Sequence, residues 1–230
     1  YKSYPRIVGE TGGKDFIFAH NSADIDVLST ALLRGAFEYQ GQKCSACSRA
    51  YIPKSIWEKT WEKMYAALKT FKVGNVEDFS VIMGAVISED AYNRIVRYID
   101  NAKANPENII MYGGGYDKKK GYFIEPTVIL TKDPKSTTMK EEIFGPVLTI
   151  YVYEDEELDE AIHLVDTTSA YALTGAIIAQ DTYIIEKLKS AFTNSAGNFY
   201  VNDKCTGAVV GQQPFGGARK SGTNDKAGSK

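Results

Sequence analysis

The sequence predicts an α/β fold: a largely parallel sheet flanked by helices. Two observations carry that expectation. Short β-branched and aromatic runs alternate with helical periodicities in the second half, and the first half is dominated by helical spacing. "PVLTIYVY" (146–153), "TGAIIA" (174–179) and "GNFYVN" (197–202) read as strands. Helical segments over 157–165 and 182–191 separate them, which is a βαβαβ order.

Taken in chain order, the first helix starts at Ile25, where Ile25, Leu28, Leu32 and Ala36 recur at helical spacing after a cap at Ser22 or Asp24. A second spans 55–71, with Ile56, Thr60, Met64, Leu68 and Phe71 on one side and Gly74 beyond its end. A third spans 88–104, carries Ile95, Tyr98, Ile99 and Ala102, and is stopped by Pro106. "NIIMY" (108–112) and "GYFIEPTVIL" (121–130) add two strands. After Phe215, "GGARKSGTNDKAGSK" has no large apolar residue, so this stretch is expected to lack an anchor and to end frayed.

The 230 residues are 43% hydrophobic and 24% charged, enough apolar mass for one large domain. A net charge of −2 gives no electrostatic case for nucleic acid or an anionic membrane surface as partner. The basic run Lys118 to Lys120 reads as a solvated loop. "VIMGAVI" (81–87), the longest apolar candidate, is core-sized and far short of the ~20 residues that span a bilayer. With no initiator Met and no charged-then-apolar leader, the chain is expected to start mid-protein or after processing. Three cysteines argue against a disulfide framework and for a reducing compartment.

Two of those cysteines lie three apart in "EYQGQKCSACSRAYIP" (38–53). A zinc site needs four ligands, and His20 and His163 are scattered, so no metal is expected. A thioredoxin-like couple sits between a strand and a helix. Here a helical pattern precedes the pair and the extended "RAYIP" follows it. Two structural thiols, or one nucleophile with a bystander, both stay open on spacing alone.

Five motifs in order change the weighting: "GETGGKD" (9–15), "GQKCSA" (41–46), "GYFIEPTV" (121–128), "EEIFGPV" (141–147) and "PFGGARKSG" (214–222). Together they resemble the catalytic domain of the aldehyde dehydrogenase superfamily over nearly the whole chain. "GQKCSACSRAYIP", "GNFYVNDKCTGAVVGQQPFGG" and "SGTND" are similar to one branch, which oxidises glutamate γ-semialdehyde with NAD in proline breakdown: the Δ1-pyrroline-5-carboxylate dehydrogenases.

The resemblance implies a role for each matching residue. Cys44 is the nucleophile, forming a thiohemiacetal and then a thioester, with its backbone N–H as one oxyanion donor. Cys47 is a bystander. Glu10 is the base for thioester hydrolysis, and partial burial is expected to raise its basicity. Glu142 accepts from the ribose hydroxyls of NAD, and Phe144 packs beside the nicotinamide. Ser45 and the N–H groups of Gly207 and Ala208 hold the substrate carboxylate, and Phe215 covers its aliphatic carbons.

The family places a dinucleotide-binding domain before this region and a final strand and tail after it; neither is found in the chain. The expectation is therefore a catalytic domain, residues 1–230, of a longer homo-oligomeric enzyme. Its compartment would be the mitochondrial matrix in a eukaryote and the cytoplasm otherwise. Alone, the chain is expected to fold but to turn over aldehyde poorly. A non-catalytic structural module and a dehydrogenase for another aldehyde are the competing readings.

Overall fold

The computed structural model describes every residue except Tyr1, Arg6, Val210, Ser229 and Lys230. In chain order the described elements are β1 (Asp15–Ala19), α1 (Ile25–Phe37), β2 (Cys47–Pro53), α2 (Lys54–Leu68), α3 (Glu89–Ala104), β3 (Asn108–Tyr112), β4 (Tyr116–Asp117), β5 (Phe123–Ile124), β6 (Thr127–Thr131) and the short α4 (Thr137–Lys140). There follow β7 (Val147–Tyr153), α5 (Leu158–Thr168), β8 (Tyr171–Ala172), β9 (Thr174–Ile178), α6 (Thr182–Ala191), β10 (Asn198–Val201) and β11 (Ala218–Arg219).

Seven of these strands form one sheet in the order β10-β9-β1-β2-β7-β6-β3. All neighbours run parallel except β3 against β6. The largely parallel α/β expectation is met. Two strands of this sheet had no clear signal: β1, a five-residue run behind two glycines, and β2, of which only "RAYIP" reads as extended; the two-residue β4, β8 and β11 outside it were not expected either. β1 and β2 insert between β7 and β9, so the βαβαβ segment does not pair consecutively.

Helices cover both faces, and the pleat explains why β1 is buried throughout. Ile17 and Ala19 join α1 and α2 residues such as Leu28, Leu32 and Met64, while Phe16 and Phe18 turn to Leu164, Leu188 and Phe192. Phe16 and Phe18 meet the Phe192 ring edge-on, with centroids 5.2 and 5.5 Å away. A third cluster packs Ile95 and Ile99 of α3 against Ile129 and Val147.

The helix starts follow their caps. Asp24, rather than Ser22, accepts from the N–H groups of Asp26 and Val27, and Ser88 accepts from Ala91. The expected strand over 121–130 splits at Pro126, which has no N–H to give a ladder; β5 pairs with β4 while β6 joins the main sheet. The expectation of an unanchored stretch after Phe215 is wrong for the described part. Polar contacts do the work of apolar ones there: β11 pairs with β8, Phe215 and Ala227 exchange backbone bonds, and Lys226 Nζ donates to Gly197 and Gly216 carbonyls. The expected fraying at Ser229 and Lys230 lies outside the described residues.

Candidate active site

Glu10 precedes β1, Cys44 precedes β2, and Glu142 and Phe144 precede β7. Because these strands are parallel neighbours, their entering loops meet at one edge of the sheet. The Cys44 loop reaches that edge through an unusual backbone. Tyr39 (φ 56°), Gln40 (φ 59°) and Gly41 (φ 64°) are successive left-handed residues, a conformation that side chains other than glycine's pay for. Hydrogen bonds from Gln40 Nε2 to the Ala85 carbonyl (3.1 Å) and from Ile87 N–H to Gln42 Oε1 (2.9 Å) hold the turn. Gly41 must be glycine on a second count, since a Cβ there would lie 2.2 Å from the Gly145 carbonyl oxygen. This close crossing brings the Cys44 and Phe144 loops together.

Cys44 is half-buried, and its Sγ donates to Glu10 Oε1 at 3.5 Å. Burial pushes the thiol up to about 12, and the hydrogen bond to Glu10 and its charge add to that. Cys44 is therefore held as a thiol, with Glu10 Oε1 as the acceptor of its S–H. Glu10 itself is exposed, not partly buried as the sequence suggested. Its segment is held by the "SGTND" motif instead: Thr11 N–H donates to the Ser221 carbonyl, Gly9 N–H to Thr223 Oγ1, and Glu10 bridges Gly222.

The other two cysteines are free but enclosed: Cys47 is 1% exposed in β2, and Cys205 is 0% exposed. The "CSAC" pair thus divides into one reachable thiol and one packed thiol. Among the described residues no cluster of His, Cys, Asp and Glu is arranged to hold a metal ion, and no helix is long and apolar enough to cross a membrane.

Beside Cys44 opens a cavity of about 670 Å³ whose lining includes Cys44, Ser45, Phe144, Thr206, Gly207, Ala208 and Phe215. Six of the eight sequence-selected residues thus share one cavity, and the remaining two, Glu10 and Glu142, lie beside its Cys44 end. Ser45 is buried, and its hydroxyl is 2.7 Å from that of Thr206. Thr206 escaped the sequence reading, although it stands directly before Gly207. Gly207 has φ +120°, the left-handed side that suits glycine.

Glu142 accepts from Gly13 N–H at 2.9 Å, and burial raises its carboxyl. A Cβ on Gly12 would sit 2.7 Å from Glu142 Oε2, so the glycines of "GETGGK" are what let this carboxylate fit. Phe144 is 37% exposed with φ 57°, a strained conformation for an aromatic residue that presents its ring at the cavity rim. Below the site, Lys14, Asp15 and Arg49 are buried ionisable residues that the sequence reading missed. "GGKDF" and "CSRAY" hold them next to strand residues, which was the available signal.

Comparison with known proteins places the chain. A Δ1-pyrroline-5-carboxylate dehydrogenase of Dictyostelium discoideum is 59% identical over 229 residues, and its human counterpart is 48% identical. The alignments cover 100% and 99% of this chain but only 41% of those proteins. The chain thus spans about two fifths of the length of the curated relatives it matches. The solved Δ-pyrroline-5-carboxylate dehydrogenase of Mycobacterium tuberculosis bound with NAD superposes with TM-score 0.91 at 52% identity, covering 100% of this chain and 42% of that one. A Thermus thermophilus 1-pyrroline-5-carboxylate dehydrogenase superposes with TM-score 0.88 at 36% identity, covering 96% and 41%. The model of the aldehyde dehydrogenase family matches residues 2–230, and the chain belongs to that family.

Proposed function

We propose that this chain is the catalytic part of a longer NAD-dependent enzyme that oxidises L-glutamate γ-semialdehyde to L-glutamate. One observation carries the reading: the Cys44 thiol touches Glu10 at one end of a cavity whose wall also presents Ser45 and the Gly207–Ala208 backbone. A nucleophile with its own base, in a cavity with an anion-binding wall, suits an aldehyde that carries a distant carboxylate. The names of the relatives point to the same substrate class. The compartment follows the source: mitochondrial matrix in a eukaryote, cytoplasm otherwise.

The residues present fit a dinucleotide. Glu142 keeps Oε2 for a ribose hydroxyl while Oε1 is tied to Gly13, and the exposed Phe144 ring offers a face to a flat heterocycle. When bound, NAD supplies the acceptor for the hydride. Cys44 Sγ gives its proton to Glu10 and adds to the aldehyde carbon, making a thiohemiacetal whose oxygen lies near the Cys44 backbone N–H. Loss of hydride from that carbon leaves a thioester on Cys44. Glu10, which is exposed and has passed the thiol proton to solvent, then takes a proton from water, the hydroxyl adds to the thioester carbon, and the C–S bond breaks with Cys44 leaving as thiolate. Ser45, Thr206 and the two backbone donors hold the distant carboxylate throughout.

The test is pre-steady-state kinetics on the full-length enzyme. Cys44→Ala should abolish NADH formation, and Glu10→Gln should slow steady turnover by at least about 10² while preserving some NADH burst. An active Cys44→Ala enzyme overturns the reading. Alkylation with peptide mapping checks the thiol independently: Cys44 should label first, because Cys47 and Cys205 are enclosed.

A further inference from the structure

Behind the anion-binding wall lies an ion cluster that the steps above do not use. Glu38 follows the last residue of α1, and its carboxylate accepts hydrogen bonds from three cations. Arg34 reaches it from one turn back, Lys43 Nζ lies at 3.1 Å, and Lys204 Nζ lies at 2.8 and 3.0 Å from its two oxygens. Lys43 directly precedes Cys44, and Lys204 stands three residues before Gly207. One carboxylate therefore ties the nucleophile's loop to the loop that carries the backbone donors. The Ser45–Thr206 hydroxyl pair and the Cys205 Sγ contact to the Ser45 carbonyl, 3.6 Å, tie the same two loops again.

Burial favours a protonated Glu38, but the hydrogen bonds from Lys204, Arg34 and Lys43 outweigh it and hold the carboxyl down to about 2. Glu38 is therefore ionised and paired with all three cations, of which Lys204 makes the closest two-oxygen contact. Two further carboxylates share a groove with Arg34 and Lys204: Asp203, which is exposed and accepts the backbone N–H of Lys204 at 2.7 Å, and Asp26, which pairs with Lys63. The Lys204 stem folds against the glycine: a Cβ on Gly207 would meet Lys204 Cε at 3.4 Å and Nζ at 4.0 Å. Its ammonium is therefore next to Gly207; of the two lysines on Glu38, Lys43 lines the cavity and Lys204 stands behind its wall. At that range, in a partly dry wall, its field reaches an anion held on the far side of the backbone.

We propose that Lys204, steered by Glu38, is a specificity-determining residue that favours aldehydes bearing a carboxylate at the end remote from the reacting carbon. The inference rests on the functional reading above. Hydroxyl and backbone donors fix where the carboxylate sits; Lys204 adds charge without touching it. An uncharged aldehyde gains nothing from that charge, so the effect belongs to substrate choice and not to the chemistry at Cys44.

The experiment is steady-state kinetics on the full-length enzyme with glutamate γ-semialdehyde and with pentanal, an uncharged aldehyde of the same chain length. Lys204→Met keeps the packed stem and removes the charge. It should raise KM for glutamate γ-semialdehyde about 10-fold, leave its kcat within about 2-fold, and change kcat/KM for pentanal by less than about 2-fold. Lys204→Arg should recover most of the KM. Equal losses on both aldehydes would make Lys204 a mere brace and overturn the inference, as would an unchanged KM. A wild-type enzyme with no preference for glutamate γ-semialdehyde would overturn the functional reading itself, and that result is in hand before any variant is compared.

Discussion

Glu38 and Asp15 are both acidic residues with basic neighbours beside the Cys44 loop, yet their proton affinities move in opposite directions. Glu38 takes hydrogen bonds from three cationic side chains and is held down to about 2. Asp15 is 1% exposed; one oxygen accepts the Thr174 N–H at 2.7 Å, and the other has no partner among the described residues. Burial pushes Asp15 up to about 8, and the Thr174 hydrogen bonds and the Arg49 charge offset only part of that. Its neighbour Lys14, whose Nζ also lacks a partner there, is driven down to about 7 by burial, with Arg49 repulsion adding to it. Proximity of opposite charge is therefore not enough. Direct donors decide whether an enclosed group keeps its charge.

Arg49 is where this comparison breaks most sharply. It is 1% exposed yet well bonded: Nε donates to the Lys14 carbonyl, and Nη1 to Tyr51 OH and the Val165 carbonyl. It also lies 5.5 Å from the Phe16 ring centre. Arg49→Ala should cost about 3–5 kcal/mol in urea unfolding of the chain, because three oxygens lose their donor and a large void opens. A cost below about 1 kcal/mol would mean that enclosed charges here are not held by their donors.

Lys14 and Asp15 sharpen it through pH. The folded value of Asp15 lies above its unfolded 3.8, so the stability it contributes is full below that pH and is lost as pH rises toward about 8. Asp15→Asn should therefore outlast wild type by about 1–3 kcal/mol above pH 8, with the gap closing below pH 4. For Lys14 the folded value lies below the unfolded 10.5, so its charged form is penalised as pH falls toward about 7. Lys14→Met should gain a similar amount below pH 7 and nothing near pH 11. Denaturation midpoints across pH check both, and matching windows for the two variants would refute the assignment.

The smallest effect belongs to Glu38. Its folded value lies below 4.5, so its stabilisation is present above that pH and lost as pH falls toward 2. Solvent screens its partners, whose side chains are 25–64% exposed. Glu38→Gln should cost only about 1 kcal/mol at pH 7 and nothing at pH 2.

The sequence by itself determined the longer helices, since their apolar stripes and caps are local: Leu28 and Leu32, Met64 and Leu68, Ile95 and Ile99 all face inward as their spacing requires, whereas the four-residue α4 is too short to carry a stripe. It also determined the α/β class and, through the five motifs, the membership of the aldehyde dehydrogenase family. Tertiary structure alone decided the rest. β1 is legible only as a central strand, because a short run with both faces buried carries no period of its own. "SGTND" looked like a loose tail until the fold paired it with the Glu10 segment over more than two hundred residues. The meeting of Glu38 with Lys204, and the burial that pushes Lys14 and Asp15 from their ordinary charge, likewise depend on segments far apart in the chain. Local spacing records which way a residue points along its own element; which distant donors it finds, and how much water is left around it, exist only once the sheet has closed.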